Sequence, residues 1–244
     1  MKLASMILIS SLALMGCDQV PKGDGTPVAV NTPGQVESAP PPSSDPPPPP
    51  PMPEGAPIYT KGKLEPLPGV KAPKLTKVVK AKFTTTQGDL LMEIYPEAAP
   101  KAAKQFVELI KLGFYDNTPV FRVEPGFVCQ FGINSKPGKV EWKDKNFKDD
   151  PSFFHLGTAT LAFAKAGPDT NSTQVFINYN DNSGLVSQGG FTAFGKVVQG
   201  YENSTKFKQV PEAGDQGALW SDTEGFINGL SNKPDQIIKA EIIK

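Results

Sequence analysis

The stretch from Pro40 to Pro57 most restricts what this chain can fold into, because 11 of its 18 residues are proline. Proline lacks a backbone N–H and fixes φ near −65°, so such a stretch forms neither a helix interior nor a central strand. It favours extended polyproline II, at about 3.1 Å per residue. The flanking residues lack an apolar period, so residues 18–77 are predicted to be a disordered, proline-rich linker. Recruitment of a partner with an aromatic groove is the alternative role for the proline run.

The first 17 residues are typical of an export signal. Lys2 precedes an apolar run, Leu3–Met15, that is too short to span a bilayer comfortably but suits the core of a signal peptide. The run ends in Leu14-Met15-Gly16-Cys17, which resembles the lipobox of bacterial lipoproteins. We predict that Cys17 is lipidated and anchors the protein in a bacterial cell envelope, facing the periplasm, with the linker as a stalk. An ordinary cleaved signal peptide is the alternative.

The charged residues exclude some functions and single out one side chain. Lys+Arg and Asp+Glu both number 25, so a net charge of zero gives no support for nucleic-acid binding. All but one of the basic residues are lysine, and the exception is Arg122. Arginine offers a planar, permanently charged fork of donors that an ammonium cannot supply. Arg122 is therefore either an ordinary surface ion pair or a residue whose donor geometry matters.

The cysteine and histidine content argues against thiol and metal chemistry. Lipidation of Cys17 would leave Cys129 as a single thiol, which its alternating apolar surroundings predict to be buried. The only histidine, His155, has no neighbouring acid in the sequence and is interpreted as a packing or loop residue. One histidine and one buried thiol make a poor transition-metal site, and no cofactor is expected.

Ordered structure is predicted from residue 78 to residue 244. Val78–Thr84 and Leu90–Tyr95 alternate on either side of a turn at 86–89, as in a β-hairpin. Pro100 then opens an amphipathic helix that Gly113 ends.

The remainder of this region is rich in short β segments. They alternate with Gly, Asn, Asp and Pro clusters up to a strand at Phe191–Val198. A second helix is predicted within Ser221–Leu230 and a closing strand at Gln236–Ile243. Many short strands and few helices indicate a closed antiparallel barrel with helices at its ends, and a monomer is the default expectation.

Three motifs in register make residues 78–244 similar to a known family. They are Phe-Arg-Val-Glu-Pro-Gly-Phe-Val-Cys-Gln (121–130), Ala-Gly-Pro-Asp-Thr-Asn-Ser-Thr-Gln-Val-Phe-Ile (166–177) and Phe-Gly-Lys-Val-Val-Gln-Gly (194–200). Together with the hairpin and the helix, they resemble the cyclophilin-type peptidyl-prolyl cis–trans isomerases, in an exported bacterial form. The resemblance implies a mainly β fold, a closed antiparallel eight-stranded barrel capped by two helices. It also implies a cofactor-independent isomerase whose substrates are proline-containing polypeptides.

The resemblance assigns roles to individual residues. Arg122 takes the place of the catalytic arginine, and Gln130 that of a glutamine lining the same wall. Further positions match those that contact substrate: the apolar box for the proline ring at Phe127, Val128 and Phe176; the backbone that pairs with an extended peptide at Ala164, Lys165 and Ala166; and Gln174 beside the site.

The rim of the predicted pocket departs from the family pattern. Gly184-Leu185 stands where many members have a tryptophan before a leucine, and Phe191 replaces a common histidine. Phe121 replaces a histidine that often precedes the arginine. Leu185 and Phe191 are kept as substrate-binding positions, and we expect the altered rim to change substrate range and the response to the family's cyclic-peptide drug.

Two functions from different classes follow. The first is an isomerase that accelerates X-Pro rotation in exported and envelope proteins during folding. The second is a membrane-tethered module that binds proline segments, as a chaperone or scaffold, without turnover. A pure binder needs the apolar box but not the guanidinium fork, so Arg122 with Gln130 favours the enzyme.

Overall fold

The computed structural model describes residues 63–244. The predicted signal peptide, Cys17 and the proline-rich part of the linker lie outside the described residues. Eight strands close into an antiparallel barrel in the order β1-β2-β7-β5-β6-β4-β3-β8. They are β1 Val79–Thr85, β2 Gly88–Ile94, β3 Thr118–Glu124, β4 Val128–Phe131, β5 Thr160–Phe163, β6 Val175–Asn178, β7 Gly195–Gln199 and β8 Gln236–Ile243. The prediction of a closed eight-stranded barrel is confirmed.

The predicted hairpin is formed by β1 and β2. Thr85 pairs with Gly88, so the turn contains two residues, and the Thr85 hydroxyl donates to the Gly88 carbonyl over 2.6 Å. Gly88 adopts a φ of +117°, which is open to glycine but costly for other residues. Every second side chain of both strands is buried, which is the period of two on which the prediction rests.

The first helix packs its apolar face into the barrel. Helix α1 spans Pro100–Lys111, with proline at its start and Phe106 fully buried. The backbone N–H groups of Lys101 and Ala102, which have no partner within the helix, each donate to the buried carboxylate of Asp150 over 2.9 Å. Gly113, with a φ of +64°, follows the last turn, as the sequence predicts.

The other helices are short, and the structure contains more of them than predicted. They are α2 Gly184–Gly189, α3 Tyr201–Ser204, α4 Gln216–Ser221 and α5 Thr223–Gly229. Two 3-10 turns lie at Val140–Asp144 and Pro211–Gly214. Helix α5 corresponds to the predicted second helix. The others escape a sequence reading because four to six residues cannot display a period of 3.6.

The strand predicted at Phe191–Val198 is shorter than expected, since β7 begins only at Gly195. The carbonyl of Phe191 accepts from the Ser152 hydroxyl, and the Thr192 hydroxyl donates to the carbonyl of Asp150. The start of this segment is therefore held by side-chain hydrogen bonds and not by pairing with a neighbouring strand.

The barrel interior is aromatic. Phe83 on β1 and Phe106 on α1 stack with their ring centroids 5.7 Å apart, and further rings surround them. Cys129 is fully buried, as predicted, and burial raises the pKa of its thiol to about 12. His155 lies in a loop, as predicted, where its Nδ1 is 2.8 Å from the hydroxyl of Ser183.

The residues before β1 contact the barrel. Leu64 is buried beside Phe154, and the Glu65 carbonyl accepts from the His155 N–H over 2.8 Å. Further along, the Thr76 hydroxyl donates to Glu97 over 2.7 Å. The expected linker boundary at residue 77 therefore does not match the structure, in which residues 63–77 (the N-terminal segment) pack on the domain. Single leucines spaced by Pro, Gly and Lys anchor this segment, and such spacing shows no period.

Candidate active site

Arg122 lies on β3 directly opposite Gln130 on β4. Cross-strand partners of this kind project from the same face of a sheet and lie within side-chain reach. The Arg122 guanidinium carbon is 5.8 Å from the centroid of the Phe127 ring, and its Nε is 3.6 Å from a carboxylate oxygen of Glu124. The Arg122 side chain is 41% exposed. Among the described residues no hydrogen bond occupies its two terminal nitrogens, so their N–H donors are free.

Gln130 belongs to a chain of three amides. Its side chain is buried, and its Nε2 donates to Oε1 of Gln174 over 2.7 Å. Gln174 in turn donates to Oε1 of Gln216, at the start of α4, over 2.9 Å. Sequence reasoning missed Gln216, because it lies in a short helix outside the three motifs and nothing in the sequence pairs it with Gln174.

The structure gathers the predicted apolar residues into one cluster. Phe176 on β6 is paired in register with Gln130 on one side and Ala162 on the other. Its ring meets that of Phe191 edge to face, with centroids 5.9 Å apart. Val128 and Phe176 are buried in this cluster, while Phe127, Leu185 and Phe191 pack on it and remain partly exposed. Buried residues thus form the floor and half-exposed residues the rim of an apolar surface beside Arg122.

The predicted peptide-binding backbone follows β5. The Ala164 N–H donates to the Gln174 carbonyl, and the Ala166 N–H donates to the Thr170 hydroxyl. Between them, the backbone N–H and C=O of Lys165 have no partner among residues 63–244. An unpaired backbone edge of this kind can accept an added strand from an extended peptide.

The described residues offer no other catalytic constellation at this surface. No group of three or more His, Cys, Asp or Glu residues between 63 and 244 is arranged to hold a metal ion. His155 and Asp181 both bond the Ser183 hydroxyl, so the serine stands between them. A hydrolytic triad needs the histidine in the middle.

No helix in this part of the chain is long and apolar enough to cross a bilayer.

Known proteins resemble this chain in sequence and in fold. Residues 80–223 match the family model described as cyclophilin type peptidyl-prolyl cis-trans isomerase. A peptidyl-prolyl cis-trans isomerase of Schizosaccharomyces pombe is 40% identical over 121 residues, which are 48% of this chain and 76% of that protein. The isomerase-like 2 protein of Gibberella zeae is 37% identical over 144 residues, 57% of this chain, but the match spans only 24% of that longer protein.

Two solved structures share the fold. The crystal structure of a cyclophilin type isomerase from Cryptosporidium parvum is 25% identical, with a TM-score of 0.51, and the alignment covers 69% of this chain and 99% of that one. A cyclophilin of Hirschia baltica is 13% identical with a TM-score of 0.52, covers 68% of this chain and 76% of its own, and supports the fold alone. The barrel, the matched motifs and these relatives together identify the chain as a member of the cyclophilin-type peptidyl-prolyl cis–trans isomerase family.

Proposed function

We propose that this chain catalyses rotation about X-Pro peptide bonds in exported proteins, with Arg122 as the catalytic residue. One observation carries the proposal: the half-exposed guanidinium of Arg122 lies at the rim of the apolar cluster, against Phe127 and opposite Gln130. The Arg122 guanidinium donors therefore adjoin an apolar surface that can receive the proline ring of a substrate.

The reaction needs stabilisation of a twisted amide rather than bond cleavage. Resonance gives the X-Pro bond a rotational barrier of about 18–20 kcal/mol. In the twisted state the proline nitrogen loses conjugation and becomes a hydrogen-bond acceptor. A donor that meets this nitrogen acts mainly on the transition state and so accelerates the rotation.

The arrangement of Arg122 suits this task. Its Nε lies 3.6 Å from a carboxylate oxygen of Glu124, and its terminal N–H groups remain available to the substrate. One of them can hold the carbonyl of the proline-containing peptide while another meets the pyramidal nitrogen. Gln130, fixed by Gln174, supplies an amide beside the guanidinium that can bond substrate backbone.

The apolar cluster and the free backbone edge would hold the substrate. Burying the proline ring against Phe127, Phe176 and their neighbours contributes about 1–2 kcal/mol. An extended peptide can pair with the unoccupied N–H and C=O of Lys165, and the adjoining residues Ala164 and Ala166 flank that edge. The proline would thus be fixed by its ring and by the backbone around it.

We further propose that the protein acts as a monomer at the periplasmic face of a bacterial envelope, anchored through a lipid on Cys17. The support comes from the sequence: a charged start, an apolar run, a lipobox and a proline-rich stalk. The clients would then be envelope and secreted proteins whose folding waits on proline isomerisation, which takes tens of seconds without help.

A protease-coupled assay on an Ala-Pro-containing tetrapeptide tests the proposal. The purified chain should accelerate isomerisation, and Arg122→Ala should remove most of that acceleration while keeping the same circular dichroism spectrum. Peptide binding by the wild type without any acceleration would refute catalysis and favour the proline-binding module instead.

A further inference from the structure

Lys165 carries a buried charge beside the proposed proline site. Its side chain is only 3% exposed, although lysine is among the residues that are rarely buried. Its Nζ lies 2.7 Å from Oδ2 of Asp149 and 3.2 Å from the carbonyl oxygen of Gly190, and it stands 5.3 Å from the centroid of the Phe191 ring. Burying an ammonium is costly unless it is paired and hydrogen-bonded, and here it is both.

Asp149 is itself held in place from several sides. Its second carboxylate oxygen accepts from the Asn171 side chain over 2.6 Å, and its carbonyl accepts from the Lys101 ammonium over 2.8 Å. Its N–H donates to Asp169 over 2.8 Å. Partial burial acts to raise the pKa of Asp149, but hydrogen bonds from Lys165 and Asn171 outweigh it and hold that pKa below its usual value. Asp149 is therefore an ionised, fixed anchor for Lys165.

The rim segment that Lys165 contacts is the end of helix α2, where the Gly190 N–H donates to the Val186 carbonyl over 2.9 Å. Gly190 closes this helix with a φ of +62°, a conformation that favours glycine. Phe191 follows directly, with its carbonyl bonded to Ser152 and its ring edge to face with Phe176. The Lys165 ammonium therefore holds the carbonyl of Gly190 and lies beside the Phe191 ring. This ring forms one wall of the apolar cluster.

We propose that the Lys165–Asp149 ion pair is a positioning device that sets the distance between the peptide-binding edge and the Phe191 wall. The inference rests on the proposed function and deepens it, because it names what determines how tightly a proline segment is held. The backbone of Lys165 is the edge offered to the peptide, and its side chain fixes the wall offered to the proline ring. One residue thereby ties together the two surfaces that a bound X-Pro segment must touch at once.

The test compares Lys165→Met with Lys101→Met. Methionine keeps most of the length of lysine and removes its charge. Lys101 contacts the same Asp149 through the carbonyl, and its ion-pair partner is Asp150 on the side of α1, so it controls for general loosening of the loop. We expect Lys165→Met to raise KM for the tetrapeptide about 5- to 20-fold with kcat changed less than about threefold, since the wall moves but the Arg122 fork does not. Lys101→Met should leave both within about twofold.

A double variant and an exchange measurement separate positioning from folding. Lys165→Met with Asp149→Asn removes both charges, so its KM should match that of Lys165→Met alone if the pair acts as a unit. Amide hydrogen exchange at Gly190 and Phe191 should quicken in Lys165→Met, while exchange in β4 stays at the wild-type rate. Should wild-type chain bind the peptide without turnover, the proposed function fails, and the dissociation constant then replaces KM as the readout for Lys165.

Two results would overturn the inference. One is a Lys165→Met variant with wild-type KM, or wild-type peptide affinity, together with unchanged exchange at Gly190 and Phe191. The other is an equal rise of KM in Lys101→Met, which would assign the effect to the loop as a whole.

Discussion

Gln130 on β4 donates through Nε2 to Oε1 of Gln174, the residue just before β6, over 2.7 Å, and this bond fixes which end of the Gln130 amide is the donor. Its own Oε1 is left without a hydrogen bond among the described residues. Because Gln130 is 7% exposed, water cannot readily replace a lost partner. The bond therefore determines whether the site presents an amide oxygen or an amide nitrogen beside Arg122.

Replacing Gln174 tests that orientation. In Gln174→Leu the buried Gln130 amide loses its hydrogen-bond acceptor, which costs about 1–3 kcal/mol. The amide also loses its preferred orientation. We expect kcat/KM to fall about tenfold. Gln174→Glu keeps an acceptor for Gln130 and should retain most activity. Equal losses in the two variants would show that the hydrogen bond does not orient the amide.

Arg122→Lys separates charge from donor geometry. The ammonium retains the positive charge but cannot hold two acceptors in one plane. We expect kcat/KM to drop about 10²- to 10³-fold, as when a single preorganised donor is removed, with a modest loss of peptide affinity. Steady-state kinetics and isothermal titration on the same preparation measure the two effects. Near-normal turnover in the lysine variant would contradict the role given to this arginine.

Phe176→Ala should affect both stability and substrate binding, because the ring is 4% exposed and also meets Phe191 at the apolar surface. Removing a buried phenylalanine costs about 3–5 kcal/mol of unfolding free energy. Phe106→Ala is the matched control, since Phe106 is fully buried in the barrel away from this cluster. Both variants should melt earlier, and only Phe176→Ala should raise KM. A lower melting temperature with unchanged kinetics would make Phe176 a core residue alone.

Two truncated chains test the N-terminal segment. The fragment 63–244 keeps Leu64 in its contact with Phe154, whereas the fragment 78–244 loses this burial and the Thr76–Glu97 hydrogen bond. Burial of one leucine is worth about 1.5–3 kcal/mol, so the shorter fragment should unfold at lower denaturant concentration. Leu64→Ser in the longer fragment should reproduce most of the difference. Identical midpoints for both fragments would mean that the segment contributes nothing to stability.

Cys17→Ser tests the proposed membrane anchor. Each buried acyl methylene contributes about 0.8 kcal/mol, so lipid chains on one cysteine hold a protein at a bilayer that would otherwise release it. Fractionation should move the variant out of the membrane pellet, or leave an unprocessed precursor, with isomerase activity per molecule unchanged. Wild-type protein found wholly in the soluble fraction would identify the leader as an ordinary signal peptide.

The sequence predicts best the elements whose periods are long enough to read. Strand β1, helix α1 and strand β8 span seven, twelve and eight residues, and the predictions match them to within a few residues at each end. Helices α2 to α4, with four to six residues, leave no such trace. The sequence pattern places the N-terminal segment in the linker for the same reason, because its leucines follow no period.

The site divides in a similar way. Arg122, Gln130, Phe127 and Phe176 fall inside motifs, so the sequence identifies them and the barrel register brings them together. Gln216 and Asp149 could not be predicted, because only tertiary contacts join them to Gln174 and Lys165. Loop conformation decides these contacts, and no local pattern encodes it.

Because Cys129 is enclosed in the barrel, its reactivity can report when the barrel opens. The thiol is fully buried and its pKa is raised to about 12, so at neutral pH almost none of it is the reactive thiolate while the barrel stays closed. A thiol reagent can then label this residue only during the brief intervals in which the strands part. The labelling rate therefore measures how often the barrel opens. A slower rate in the presence of bound peptide would show that an occupied substrate site keeps the barrel closed for longer.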